Sequence, residues 1–413
     1  MGKLRSQGLV VHEWGTFTSV QGGEGVPLSW KPLETSRLPN FVYDWRHAGL
    51  GRISTSMLSL FLKGDVTTLQ RMETPVIYFY SDTEQTVDMS VQFPGGLITE
   101  WFPQAGEIGP SRVESQPNAI LALDNEISNV KESIIRWSQL QILPTRTHPE
   151  ISQALAADAS GSHYFAARDT DAAYVRQDSL STTNPSPEHE KFLFYRGIGS
   201  FATPLRVTMK SDDDVTVANT GKEILSHLFV LGVKDKAGNF VYLDRLQPGE
   251  EKTIPASTRK NPLPLPVVAG QISKEMAAAL VKEGLYAREA TAMVNTWKDS
   301  WFQEEGVRVL YVLPKSWTDQ TLPMNINPAP TELVRVMVGR AEVLAPGIEE
   351  ELALQMDKAK QGDTKATLRT HQILTSLGRF AETAFSRALV KAKPQPKEQG
   401  KLMALLSDVR NSK

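Results

Sequence analysis

Between residues 204 and 254, five short runs (PLRVTM, DVTVANTG, LSHLFVLGVKD, NFVYLDRL and EEKTIPA) are punctuated by turn residues at Asp212–Asp214, Asn219–Gly221, Lys236–Gly238 and Pro248–Gly249. Runs this short, rich in Val, Leu and aromatics, are too brief for helices and predict antiparallel strands of a sandwich. The same grammar holds upstream. Residues 9–20 alternate, placing Val10, His12, Trp14, Thr16 and Thr18 on one face of a strand, with Val11, Glu13, Phe17 and Ser19 on the other. Runs at 75–80, 86–93 and 97–102 are separated by a polar turn and by Pro94-Gly95-Gly96, and predict a three-stranded meander with Val87, Met89, Val91 and Phe93 inward. Further strands are expected at 134–142, 163–167 and 192–196, with an exposed loop over 177–190.

The pattern changes after residue 260. NPLPLPVVAG (261–270) reads as a proline-rich connector, and Ser273 as the cap of a helix. Within 286–304, Ala290, Met293, Val294, Trp297 and Trp301 form one apolar helical stripe. Strands at 307–313 and 332–338 follow, then helices at 348–361 and 364–391. The expected fold is therefore mainly β, built of antiparallel β-sandwich modules, with a C-terminal α+β segment. The expected divisions are a β-rich domain over 1–200, a sandwich module over 201–260, the α+β segment over 271–393 and a basic flexible tail over 394–413.

Charge and cysteine usage exclude whole classes of activity. Lys plus Arg is 45 against 47 Asp plus Glu, so no general attraction for nucleic acid is expected. The 413 residues hold no cysteine, which removes disulfides, thiolate nucleophiles and cysteine-ligated metal. No apolar run is long enough to span a membrane and no signal peptide is visible at Met1–Gly8. A soluble protein is expected, either cytoplasmic or exported after removal of a signal; oligomeric state is not legible.

Two resemblances can be read from motifs. VVHEWGTFTSV (10–20), RMETPVIYFY (71–80), KFLFYRGIGSF (191–201) and AMVNTWKDSWFQEEG (292–306) together resemble a family of uncharacterised bacterial proteins that opens with a VVHEWGTFTS-type motif. That likeness supplies no catalytic residues. VTVANTGKEILSHLFV, within 204–254, resembles Ig-like or fibronectin-like modules, and implies a β-sandwich without an activity.

The familiar catalytic signatures fail one by one. His12-Glu13 lacks the second histidine of H-E-x-x-H, since Thr16 stands there, and on a strand the two side chains point to opposite faces. Asp169-Thr170-Asp171 opens like a calcium loop, but Ala173 and Tyr174 break it. Neither a nucleotide-binding glycine loop nor a nucleophile elbow is present, so no nucleotide cofactor is expected.

Two readings remain. The first is a non-catalytic multi-domain β-sandwich protein that binds a protein or glycan partner, with Trp30 and Trp45 as a stacking platform. The second is a metal-dependent hydrolase whose divalent ion is held at strand ends by His12, Glu73, Glu100, His163 and Asp169. Each candidate also has a structural reading. His12 fits a hydrogen-bonded histidine inside a sheet, Glu73 and Glu100 fit ion pairs with Arg52, Arg71 or Arg196, and Asp169 fits a brace with Arg168.

Overall fold

The computed structural model describes residues 8–32, 38–44, 67–109, 132–156, 162–179, 186–210, 214–254 and 261–411. Strand takes 41% and helix 34% of it, so the fold is mixed α/β with largely antiparallel sheets rather than mainly β.

The organising element is an eleven-stranded sheet. Its strands are β1 (Val10–Gly22), β2 (Tyr43–Asp44), β3 (Gln70–Tyr80), β4 (Gly96–Phe102), β5 (Leu193–Gly199), β6 (Leu225–Lys234), β7 (Ala237–Leu246), β8 (Leu263–Pro264), β9 (Gly306–Val312) and β10 (Glu332–Leu344). They run in the order β8-β7-β6-β9-β10-β1-β3-β5-β4-β2, with Pro27–Leu28 added on β1. β1 lies at the centre. It pairs in parallel with β10 from Val10 opposite Glu332 to Gly22 opposite Leu344, and antiparallel with β3. All 13 residues of β1 and all 11 of β3 are buried, as expected of strands covered on both faces.

A bulge interrupts the β1–β3 ladder. Two β3 residues, Thr74 and Pro75, stand against Gly15 alone, and Thr74 takes φ 47°. Pro75 has no N–H to give to a ladder. A Cβ on Gly15 would come within 2.9 Å of the Pro75 backbone, so only glycine fits opposite it.

A second sheet joins Glu188–Glu190, Tyr174–Gln177, Ser133–Leu143, Gln85–Phe93 and Met324–Asn327, with Glu107–Gly109 on its side. The run at 86–93 therefore does not form a meander with its neighbours. Its buried residues are Val87, Met89, Val91 and Phe93, as the alternation requires, but this half-exposed strand goes to the second sheet while fully buried β3 and β4 stay in the first. The five strands within 204–254 all form, yet they divide as well. Leu205–Met209, Val215–Asn219 and Glu251–Ile254 make a three-stranded sheet, and β6–β7 extend the large one. Residues 163–167, expected as a strand, lie in a 3-10 turn over His163–Arg168 capped by Ser162.

Besides the short helices Pro149–Ala156 and Lys315–Thr321, the helices described are α1 (Leu265–Lys282), α2 (Ala287–Phe302), α3 (Pro346–Lys360), α4 (Thr364–Ser376), α5 (Ala381–Ala392) and α6 (Pro396–Asn411). α1 starts eight residues ahead of Ser273, because proline is tolerated in a first helical turn. The single helix expected over 364–391 breaks at Gly378, where φ is +54°. The expected flexible tail is instead helix α6, which buries Leu402, Leu406 and Val409 against the α3–α5 cluster. Its lysines lie on the face those residues leave outside.

Candidate functional site

Direct partners across a ladder share a face, so register places the polar side chains. On one face of the large sheet, His12 lies beside Tyr78, Thr16 beside Glu73, and Thr18 between Arg71 and Arg340. Arg196 stands opposite Glu100 on β5 and β4, and Arg308 opposite Glu342 on β9 and β10. This face is covered by α2, the 163–168 turn and the Gly378–Phe380 turn.

The charges pair with unusual thoroughness for a buried layer. Arg196 grips Glu100 through two nitrogens, at 2.8 and 2.6 Å. Arg379 Nη1 donates to Glu73 at 2.6 Å. Arg340 reaches Glu304 at 2.6 Å and Glu342 at 2.7 Å, and Arg308 donates to Glu342 at 3.0 Å. Burial alone would raise the Glu73 carboxyl, but the guanidiniums of Arg379 and Arg71 hold it down at about 2. Glu304 is held at about 2 in the same way by Arg340 and Arg379. Burial, aided by nearby Arg196, lowers His163 to about 4, so it is neutral at ordinary pH.

One cation stands apart. Arg71 is 4% exposed, and its Nε has no hydrogen-bond partner. Among the described residues it makes no ion pair. Burial brings its guanidinium down to about 10, with Glu73 opposing that shift and Arg196 and Arg379 adding to it.

The residues singled out from the sequence separate into different environments. Glu73, Glu100 and His163 share the charged layer, but arginines or Trp297 occupy them: the His163 and Trp297 rings lie 5.3 Å apart. His12 is elsewhere, fully buried, with Nδ1 2.7 Å from Glu289 and its ring against Tyr286 and Tyr80. Asp169 is exposed and pairs with Arg288 rather than Arg168, which holds Glu190. Among the described residues no group of three or more His, Cys, Asp or Glu could hold a metal ion. Trp30 is 1% exposed, its indole donating to Leu69 and its ring against Phe380, so protein covers the faces a sugar would stack on. Trp45 lies outside the described residues.

The opposite face carries a separate buried pair. Glu13 accepts from Tyr195 at 2.5 Å and from Arg335 at 2.7 Å, and Arg335 also reaches Asp319 at 2.9 Å. His12 and Glu13 thus serve opposite faces, as a strand demands.

Sequence reasoning did not find a hollow on the C-terminal side of the molecule. A cleft of about 620 Å³ opens between α4 and the ends of β6, β9 and β10. Its apolar wall includes Val307, Val343, Leu344, Ile373, Leu377 and Phe380. The cleft meets the charged layer at Glu342, which lines it, and at Phe380, whose ring centre lies 5.7 and 5.2 Å from the guanidiniums of Arg340 and Arg379. The cleft is made by several segments spread between Gly232 and Phe380, so no local motif announces it.

No family model and no curated protein matches this chain. Among solved structures, the chain matches the yeast delta-COP-I mu-homology domain at 6% identity and a TM-score of 0.26, over 83% of this chain and 100% of that one. A likeness that small carries neither fold nor activity across. Among the described residues no helix is long and apolar enough to cross a membrane.

Proposed function

We propose that this chain is a non-catalytic binding protein that holds a small, largely apolar molecule in the cleft beneath α4. The cleft itself carries the reading: about 620 Å³, with an apolar wall beside polar groups that include Lys234, Asn239, Glu305, Glu342, Arg369 and Gln372. Ligand sites typically occupy about 300–1,000 Å³ and combine an apolar lining with a few polar groups. The hydrolase alternative draws less support, because His12 and Asp169 lie apart from Glu73, Glu100 and His163, whose neighbours are mostly arginines.

Titration with N-phenyl-1-naphthylamine, a neutral fluorescent probe, tests this. Saturable enhancement at one probe per chain is expected. Ser376→Trp, which fills the cleft from the end of α4, should weaken it at least tenfold with the melting temperature unchanged. A signal that fails to saturate, or that ignores the substitution, overturns the reading.

A further inference from the structure

Arginine stays charged at any pH the protein meets, and an isolated charge inside a protein is strongly unfavourable. The charged layer therefore raises one question: what faces Arg71? Its electrostatic neighbours are Glu73 and Glu100 on one side of the balance and Arg196 and Arg379 on the other. Both carboxylates are already engaged, Glu73 by Arg379 and Glu100 by Arg196. Across the whole layer, five guanidiniums (Arg71, Arg196, Arg308, Arg340 and Arg379) thus face four carboxylates (Glu73, Glu100, Glu304 and Glu342).

The unused donors belong to the same layer. Arg71 Nε, Arg379 Nε and Nη2, and Arg340 Nη1 are all buried without a hydrogen-bond partner. Register puts Arg71 and Arg340 in one row, on either side of Thr18. Arg379 reaches this row from the Gly378–Phe380 turn through its bond to Glu73, which stands two residues from Arg71 on β3. The side chains of Arg340 and Arg379 are 0% and 9% exposed. Guanidinium forks with spare N–H groups match the oxygens of phosphate or carboxylate better than any neutral group does.

The geometry points to a buried oxyanion site at Arg71, Arg379 and Arg340, which takes the phosphate or carboxylate group of a small molecule. The site adjoins the apolar cleft at Phe380 and Glu342, both of which Arg340 contacts. Its occupant supplies the negative charge that Arg71 otherwise lacks. Glu73 limits affinity from within the site, since it repels what the arginines attract.

Calorimetric titration of the full chain with inorganic phosphate, sulfate and acetate, at constant ionic strength set with chloride, tests the assignment. Saturable binding of at least one of the three is expected. Phosphate and sulfate ahead of acetate would identify a tetrahedral group, and the reverse order a carboxylate. Arg71→Met should weaken binding at least tenfold yet melt no lower than the parent without anion, because it deletes an unpaired buried charge. Glu73→Gln should tighten binding severalfold, an effect no purely structural role for Arg71 predicts. Should Arg71→Met not fold, Arg71→Lys, which keeps the charge without the fork, is expected to weaken binding by a similar order. Absence of saturable binding to all three anions overturns the proposal, as does unchanged affinity in the Arg71 variants. Because the cleft is read with a neutral probe, either site can fail without the other.

Discussion

At the scale of single residues, the charged layer makes acid stability a matter of two windows. His163, neutral and buried, is lowered from 6.5 to about 4. Between those values the unfolded chain binds a proton that the folded chain refuses, so stability falls as pH drops from about 6.5 to 4. Glu73, lowered from 4.5 to about 2, contributes stability that is complete above about pH 4.5 and is lost as pH falls through 2. Urea unfolding across this range should show His163→Gln removing about 3 kcal/mol of the stability change across the upper window, with the lower limb intact. Glu73→Gln should flatten the lower limb only. On the other face, Glu13→Ala leaves Arg335 buried beside Asp319 alone and should cost about 3–5 kcal/mol in the same assay. Part of this chemistry is legible in the sequence. Glu73 and Glu100 stand in strands that also supply or neighbour Arg71 and Arg196, and the Glu100–Arg196 pair is among the pairings expected. Arg379 is not legible as a partner, because 306 residues separate it from Glu73.

Elements were read with more success than their pairings, and the reason is physical. A strand's alternation is local, whereas its neighbour is chosen by the whole sheet. Residues 85–93 show the alternation, and their place in the second sheet could not be inferred from it. α6 shows the reverse error. Its lysines suggest a solvated tail, but Leu402, Leu406 and Val409 recur at helical spacing and carry it onto the body. Leu406→Ala should therefore lower stability by about 2–3 kcal/mol, read by thermal and urea unfolding together. A sharper test of pairing lies between β9 and β10. Gly339 sits directly opposite Tyr311, and a Cβ there would come within 2.3 Å of the ring. An aromatic ring laid over a glycine fixes register as well as filling space. Gly339→Ala should cost more than about 2 kcal/mol, and Tyr311→Leu in the same chain should restore part of it.

For the whole molecule, the central fact is that β1 takes one neighbour from the first hundred residues and the other from beyond residue 330. Fragments 1–200 and 201–413 each leave half of that pairing unmade. Expressed alone, each should give poorly dispersed amide spectra, and mixing them should restore the native spectrum. The same arrangement governs what happens during synthesis. Val10–Gly22 leaves the ribosome early, but Glu332–Leu344 follows 322 positions later. At about 5–20 residues per second, roughly 15–65 s pass before β10 exists. For that interval an apolar strand has an open edge, and such edges recruit other chains. The nascent protein should depend on a holding chaperone or an early provisional partner, and translation slowed between residues 100 and 330 should raise aggregation while the finished protein stays as stable as before.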